Sequence, residues 1–231
     1  MAGIKQIKSF KPTQQRQSIK VLQEQDSWLN ETLDTYLTGT MYPPRGGVFH
    51  PSVLSNACDR AVWLTYHGKM ISTKLEPVLN RIFQTGNSLE TRVEIWLTKL
   101  GILMGREVSV RLDAPPISGR IDFIIRHQTH GISPIELKSI NTAGFGKLVR
   151  PKPEHELQLQ IYLNLGDYSV GTVLYENKND QKLKSFVVHQ DRKRWDEILN
   201  RCFRIQNMEK APNVCTGEHW CACKNIPFEV E

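Results

Sequence analysis

Two short stretches decide the fold of this sequence, Gly119-Arg120-Ile121-Asp122 and Glu136-Leu137-Lys138. Both lie in runs, at 117–126 and 132–139, in which apolar and polar residues alternate. Such alternation is typical of a β-strand with one buried face. The five residues between the runs end in Gly131, and a loop of that length and composition predicts a hairpin.

The hairpin register brings polar residues of the two strands opposite each other. A loop centred on Thr129 pairs Asp122 with Glu136 and Arg120 with Lys138. The apolar residues are then predicted to share the other face: Ile121, Phe123, Ile125, Ile135 and Leu137. Opposed side chains stand roughly 5 Å apart at Cβ, so the two carboxylates repel and the pKa of one should rise. A divalent cation such as Mg²⁺ or Mn²⁺ would relieve that repulsion.

Lys138 adds a positive charge to the same face of the strand, two residues beyond Glu136. Beside a bound cation, a lysine can orient an attacking water or hold developing charge, which suits phosphodiester hydrolysis. The alternative is an ordinary salt-bridge ladder on an exposed sheet face, because Glu-x-Lys also occurs at Glu176-Asn177-Lys178. Asp122 at the matching register favours the catalytic interpretation.

Helical and strand patterns surround the hairpin. Helices are predicted over 14–37, 53–67, 77–100, 154–165 and 191–208, and further strands over 102–112, 170–178 and 182–189. Asp191 is the predicted N-cap of the last helix. The helix over 77–100 should bury Ile82, Phe83, Leu89, Val93, Leu97 and Leu100. This order predicts an α/β fold with a central mixed β-sheet flanked by helices, an N-terminal helical extension and a cysteine-bearing C-terminal tail.

Length and charge suggest a globular chain with an anionic partner. The sequence has 231 residues, and 30 lysines and arginines against 24 acidic residues leave a net charge of +6. The residues before Glu24 include five basic and no acidic ones, which predicts either an arm that grips phosphates or a partner, or a solvated terminus. We predict an arm, helix and linker over 1–50 and one main domain over 51–231. No apolar run approaches the roughly 20 residues of a membrane helix, so no membrane partner and a cytoplasmic location are expected.

The placement of the cysteines favours a metal or cluster site over disulfides. Five cysteines are present, and Cys215, Cys221 and Cys223 crowd the last 17 residues, within a predicted tail at 212–231. Because the first residues show no secretion signal, an oxidising compartment is not expected. Cys202 falls in the middle of a predicted helix and is expected to be a small buried apolar residue.

The two stretches of the hairpin, taken in order, resemble the G-x-x-D and E-x-K signature of the PD-(D/E)xK nuclease superfamily. Ile121 stands where many members have Pro, and the G-x-x-D form is similar to that of the RecB-type exonuclease branch. Gly86-Asn87-Ser88-Leu89-Glu90 resembles the first motif of the family, with Glu94 as a competitor for the role of Glu90. The resemblance implies these ligands for Mg²⁺ or Mn²⁺: Glu90, Asp122, Glu136 and the Leu137 carbonyl.

Two later segments extend the resemblance. Gln158-Leu159-Gln160-Ile161-Tyr162 resembles the Q-L-x-x-Y helix of RecB-type nucleases, which implies that Gln158 and Tyr162 join Asp122, Glu136 and Lys138 at the site. Tyr175-Glu176-Asn177-Lys178 resembles a Y-x-x-K segment of phage-type and CRISPR-associated members. It implies that Lys178 contacts a phosphate, the alternative being a plain strand-end lysine, and Arg120 is a second expected nucleic-acid contact. The histidines without motif support are expected to be surface or structural residues: His67, His127, His130 and His155.

One early and three late cysteines, Cys58 with Cys215, Cys221 and Cys223, resemble the iron–sulfur branch of the superfamily. In that branch a [4Fe–4S] cluster fastens the C-terminal tail to an early helix, which closes a very long loop. The spacing C-x5-C-x-C departs from the usual pattern of the branch. Zinc is therefore the alternative, with His219 able to replace one thiolate.

The resemblance implies a metal-dependent DNA nuclease, an exonuclease that acts on single strands or DNA ends. DNA is the expected partner, and a replication or recombination protein, for instance of a phage, is a further candidate. The alternatives are a non-catalytic nucleic-acid-binding protein with a structural iron–sulfur or zinc site, and a site-specific endonuclease of the restriction type.

Overall fold

The computed structural model of the chain describes residues 27–216, 221 and 223. Its contacts divide the chain into two compact units, Met1–Tyr36 and Leu37–Glu231. The described helices are α1 (Ser27–Leu37), α2 (Pro51–Leu54), α3 (Asp59–Tyr66), α4 (Pro77–Lys99), α5 (Thr142–Lys147), α6 (Pro153–Leu165) and α7 (Arg192–Gln206). The described strands are β1 (Gly39–Met41), β2 (Thr73–Leu75), β3 (Leu103–Leu112), β4 (Ile117–His127), β5 (Gly131–Ile140), β6 (Val170–Asn177) and β7 (Leu183–His189). No described helix is long and apolar enough to cross a membrane.

A five-stranded mixed sheet in the order β3-β4-β5-β6-β7 forms the centre of the larger unit. Neighbouring strands run antiparallel except β5 and β6, which are parallel and therefore need a crossover connection. The crossover contains α5 and α6, and α6 contacts both β5 and β6. Strands β1 and β2 pair separately. The predicted α/β fold with a central mixed sheet and flanking helices is confirmed.

The long periodic segments follow the predicted boundaries closely. All five strands of the central sheet begin and end within one residue of their predicted bounds. Asp191 is the N-cap of α7, because its side chain accepts a hydrogen bond from the Arg194 backbone N–H at 3.0 Å. Only the part of the predicted helix 14–37 that forms α1 lies within the described residues.

The prediction of one helix over 53–67 is wrong. The chain forms α2 and α3 instead, because Cys58 is the N-cap of α3 and has an extended backbone. The Cys58 sulfur accepts the Ala61 N–H at 3.4 Å, and the Cys58 N–H donates to Asn56 Oδ1 at 2.8 Å. Helix α5 was not predicted either, because the two glycines in its sequence weaken any helical pattern.

Helix α4 packs on the sheet through half of its predicted stripe. Leu89, Val93 and Leu97 are buried in one cluster that also contains the hairpin residues Phe123, Ile125, Ile135 and Leu137. The prediction that Ile82, Phe83 and Leu100 are buried is wrong, because these side chains remain 46%, 47% and 69% exposed. The residues of α4 that pack on the sheet begin only at Leu89. The apolar spacing therefore extends past the part of the helix that the sheet covers.

Candidate active site

A polar cleft of about 570 Å³ lies where α4, α6 and the segment before α2 meet strands β3, β4 and β5. It brings together all the predicted catalytic and divalent-metal residues and one of the two predicted nucleic-acid contacts: Glu90, Arg120, Asp122, Glu136, Leu137, Lys138, Gln158 and Tyr162. Elements far apart in the sequence therefore converge on one site, and four acidic side chains face each other across it: Glu90, Glu107, Asp122 and Glu136.

The hairpin register is as predicted up to the cleft. The ladder of β4 and β5 runs from His127 opposite Gly131 to Phe123 opposite Ile135. Beyond that pair, the side chain of Asp122 connects the two strands, because its Oδ2 accepts the Leu137 N–H at 2.7 Å. This hydrogen bond fixes the Asp122 carboxylate beside β5.

The side chains of β4 change sides near Asp122. Phe123 packs towards α4, whereas Ile121 packs with Ile124 and with Tyr162 of α6. The prediction that Ile121 shares a face with Phe123 is therefore wrong, since strict alternation requires a regular strand. The predicted pairs Asp122 with Glu136 and Arg120 with Lys138 both lie beyond the end of the β4–β5 ladder, and the Arg120 guanidinium forms an ion pair with Glu107 Oε1 at 3.2 Å.

Glu136 is the most deeply buried acid of the cleft, with 1% of its surface exposed. Lys138 Nζ pairs with its Oε1 at 2.5 Å, whereas its Oε2 is buried without a partner among the described residues. A buried carboxylate oxygen without a partner is costly, because the charged form has lost its water. The arrangement leaves Oε2 able to bind a cation.

The electrostatics of the cleft disfavour the state in which Asp122 and Glu136 are both ionised. Burial, reinforced by Asp122, raises the pKa of Glu136 to about 8, although Lys138 acts in the opposite direction. Burial also raises the pKa of Asp122 to about 6, against the lowering effect of the Leu137 N–H. Two adjacent carboxylates that both tend to keep a proton are the expected state of a cation site before it binds its ion. The donor set of three carboxylates and the Leu137 carbonyl fits a hard divalent cation.

The third carboxylate of that set comes from α4. Glu90 follows the buried Leu89 on the helix and lines the cleft. Glu94, its competitor, forms an ion pair with Arg106 of β3 and is not among the residues that line the cleft. The difference follows from helix geometry, since residues four apart lie one turn apart along the axis.

Helix α6 and the glycine of the G-x-x-D stretch form one wall of the cleft. Gln158 Nε2 donates to the Tyr162 hydroxyl at 3.4 Å, and both side chains are buried. Burial and the nearby Glu136 raise the pKa of Tyr162 well above that of an ordinary tyrosine. A Cβ at Gly119 would lie 2.6 Å from Pro51 and 2.9 Å from Tyr162, so only glycine lets these groups approach β4.

Sequence reasoning missed Glu107, whose backbone is left-handed with a φ of 47°. Its neighbours Arg106 and Val108 pair with Phe123 and Ile121, so Glu107 lies opposite Asp122 on β3. The register of β3 against β4 identifies Glu107, and that register does not follow from the sequence alone. His50, Ser52 and two further serines also line the cleft without any sequence motif: Ser109 and Ser118.

The remaining predicted residues lie outside the cleft. Lys178 follows β6, its side chain is exposed, and its backbone N–H donates to the Ile140 carbonyl at 2.8 Å. His155 is held by the Tyr175 hydroxyl at 2.8 Å, and burial lowers its pKa to about 3. His127 and His130 stack on each other at the hairpin loop, which suits a structural role.

Four cysteine sulfurs form a second candidate metal site at the start of α3. The Sγ atoms of Cys58, Cys215, Cys221 and Cys223 all lie within 4.8 Å of one another. Cys223 Sγ is 3.2 Å from Cys215 Sγ and 3.3 Å from Cys221 Sγ. Burial raises the pKa of Cys58 to about 12, which favours its thiol form in the absence of a cation. Cys202 is fully buried in the apolar core, as predicted, and His219 lies outside the described residues.

Polar contacts hold the tail on α3 independently of the sulfurs. Arg60 Nη1 donates to the Pro212 carbonyl at 2.8 Å, and Trp63 Nε1 donates to the Met208 carbonyl at 2.9 Å. Asp59 accepts hydrogen bonds from Arg201 and Arg204 of α7. These contacts keep the late cysteines close to Cys58 before any metal binds.

Comparisons with known proteins show that solved structures share this fold. No family model and no curated protein matches the sequence. The alkaline exonuclease of Laribacter hongkongensis matches with a TM-score of 0.50 and 16% identity, over 76% of this chain and 90% of that chain. A protein named SSO0001 matches with a TM-score of 0.50 and 18% identity, over 78% of this chain and 84% of that chain. At these identities the likeness establishes a shared fold.

Proposed function

We propose that this chain is a metal-dependent nuclease that hydrolyses the phosphodiester bonds of DNA, as an exonuclease on single strands or DNA ends. One observation carries the proposal: the buried carboxylate of Glu136 has one oxygen, Oε2, without a partner among the described residues and faces a cleft with three further acids. The fold shared with an alkaline exonuclease supports the exonuclease activity, and the net charge of +6 suits an anionic substrate.

The predicted site residues of the cleft each have a role in the proposed reaction. Glu90, Asp122, Glu136 and the Leu137 carbonyl would hold Mg²⁺ or Mn²⁺. When bound, such an ion lowers the pKa of water and stabilises charge on a phosphoryl oxygen. Lys138 orients the attacking water and holds developing charge, because its ammonium group lies beside Glu136.

The rim of the cleft would bind the substrate backbone. Gln158 and Tyr162 present an amide and a hydroxyl to the cleft, and Arg120 presents a guanidinium. Lys178 is proposed as a weaker phosphate contact outside the cleft, on the basis of its exposed position after β6. Residues 51–231 remain our proposed catalytic domain, with a cytoplasmic location.

A cleavage assay tests the proposal. End-labelled single- and double-stranded DNA is incubated with Mg²⁺, Mn²⁺ or EDTA, with wild type beside Asp122→Ala. We expect metal-dependent degradation that disappears in the variant, with single nucleotides as the early products. Products cut at one duplex sequence would favour a site-specific endonuclease instead. Equal inactivity of both proteins with retained DNA binding would favour the non-catalytic alternative.

We further propose that the four cysteines bind one metal centre that fastens the tail to α3. The family resemblance favours a [4Fe–4S] cluster. The sulfur positions favour a single zinc ion, because thiolates about 2.3 Å from one tetrahedral ion stand about 3.8 Å apart, whereas in a cluster each thiolate binds a different iron. Metal analysis of anaerobically purified protein decides between them: iron with absorption near 400 nm identifies the cluster, and stoichiometric zinc in a colourless preparation excludes it.

A further inference from the structure

Two ion pairs tie α4 to the central sheet, one on each flank of the helix. Arg92 Nη2 lies 2.6 Å from Glu176 Oε1 of β6, and Arg106 of β3 pairs with Glu94. Glu176 is the most buried of the four side chains at 5% exposed, whereas Arg92 is 44% exposed and both members of the second pair are about one-third exposed. Breaking the first pair therefore leaves the more deeply buried carboxylate without its partner.

Glu176 depends on Arg92 for its charge balance. Its second carboxylate oxygen, Oε2, is buried and has no hydrogen-bond partner among the described residues. Arg92 also lies over the ring of Trp96, with 5.8 Å between its Cζ and the ring centroid. The aromatic ring limits the guanidinium to a small range of positions, which makes the ion pair directional.

Apolar packing alone does not fix the rotation of α4 about its axis. Leu89, Val93 and Leu97 pack against strands β4 and β5, and such contacts are non-directional. Glu90 and Arg92 are two residues apart, which places them roughly 200° apart around the helix. A hydrogen-bonded tether on the Arg92 flank therefore sets where Glu90 points on the opposite flank.

The same ion pair connects α4 to β6, the strand that lies beside the one carrying Glu136. Glu176 pairs with Ser139 in the parallel ladder of β5 and β6, three residues beyond Glu136 on β5. The ion pair thus links the helix that carries Glu90 to the part of the sheet that carries Glu136. Glu90 is the one proposed metal ligand from the helical layer, and the other three proposed ligands come from the sheet.

We propose that Arg92 and Glu176 are positioning residues that hold Glu90 at the correct distance from Asp122 and Glu136, and so set the affinity of the cleft for its divalent cation. The proposal rests on the proposed function. Residues that orient metal ligands typically change metal affinity by about 10- to 100-fold when they are mutated. We expect a loss of that size when the ion pair is broken.

Binding of Mn²⁺ to the full chain tests the proposal without relying on cleavage. Free Mn²⁺ is followed by electron paramagnetic resonance during titration of wild type, Arg92→Gln, Glu176→Gln and the matched control Arg106→Gln. We expect the dissociation constant to rise about 10-fold or more in the first two variants and to stay at the wild-type value in the control. The cleavage rate of Arg92→Gln should recover at saturating Mn²⁺, a response that a general loss of structure would not give.

The outcomes separate this inference from the proposed function. Wild type that neither binds Mn²⁺ nor cleaves DNA overturns the proposed function. Wild type that does both, with Arg92→Gln and Arg106→Gln equal in affinity, overturns the positioning role alone. Arg92 is 44% exposed, so its substitution is the milder one, and an unchanged affinity in Arg92→Gln overturns the role even where Glu176→Gln does not fold.

Discussion

The acidic cleft and the cysteine site are both candidate metal sites, and they are constructed in opposite ways. In the cleft, Glu136 Oε2 is buried without a partner among the described residues and burial raises the pKa of Asp122, so ionising both carboxylates has a free-energy cost that a cation would relieve. At the cysteine site, Arg60 and Trp63 already hold the tail in place through backbone carbonyls. From this difference we expect an ion in the cleft to supply chemistry and an ion among the sulfurs to add stability.

The largest effect is expected from removing a charge in the cleft. Glu136→Gln keeps the shape of the side chain but takes away a metal ligand, and the cleavage rate should fall about 10²- to 10³-fold. The melting temperature in EDTA should rise, because the variant no longer buries a carboxylate with a raised pKa. Cleavage of end-labelled DNA and thermal melting measure the two quantities.

A control variant shows whether the effect belongs to the cleft. Glu94→Gln removes a carboxylate of α4 that pairs with Arg106 and does not line the cleft. It should cleave at the wild-type rate. Full activity of Glu136→Gln would show that the cleft is not the catalytic site.

A substitution at the cysteine site should lower the stability of the protein and leave the cleavage rate unchanged. Cys223→Ser should abolish binding of the metal centre and lower the melting temperature by roughly 5–10 °C, because the long loop from Cys58 to the tail is no longer closed. The cleavage rate per folded molecule should stay at the wild-type value. Metal analysis and calorimetry measure the change.

Cys202→Ala is the matched control for that experiment. Cys202 is fully buried but lies outside the group of four sulfurs, so its replacement should alter packing and leave the metal content unchanged. A large loss of cleavage in Cys223→Ser at a temperature where it is folded would contradict the division of roles between the two sites.

The pH dependence of stability offers a third test. Because burial raises the pKa of Asp122 to about 6 and of Glu136 to about 8, the folded state binds protons more tightly than the unfolded state. The stabilising contribution of the two protonated groups is complete at low pH and is lost as the pH rises through these pKa values. The melting temperature in EDTA should therefore fall between about pH 5 and pH 8.5.

Added Mg²⁺ should change that profile, because it binds the ionised carboxylates of the folded state. The rise in melting temperature on adding Mg²⁺ should be larger at about pH 8.5 than at about pH 5. In Glu136→Gln, both the pH slope and the response to Mg²⁺ should be smaller. Equal responses to Mg²⁺ at the two pH values would argue against a carboxylate cation site.

Local patterns account for what the sequence predicted well. The alternation in β4 and β5 and the short loop between them predicted the ladder that ends at Phe123 and Ile135, since both are properties of neighbouring residues. The single helix predicted over 53–67 failed because the cap at Cys58 depends on one sulfur and on Asn56. A cysteine N-cap has no recognised sequence signature.

Long-range pairing accounts for what the sequence missed. Glu107 enters the cleft because β3 lies beside β4 and because its own backbone is left-handed, neither of which a single sequence reveals. Ile82 and Phe83 fit a helical stripe perfectly well, yet no sheet residue covers them among the described residues. Periodicity predicts which residues share a face, and only packing decides how much of that face is covered.

The smallest effect is expected from single phosphate contacts, where two basic residues can be compared. Arg120 lines the cleft and Lys178 lies outside it. Each lost phosphate contact should reduce the slope of log affinity against log salt concentration by about one. Arg120→Gln should show that change with DNA in EDTA, whereas Lys178→Gln should show a smaller one, because an exposed lysine beyond the cleft touches the strand only transiently. Equal slopes in the two variants would mean that the bound strand continues past β6, and the DNA path would have to extend beyond the acidic cleft.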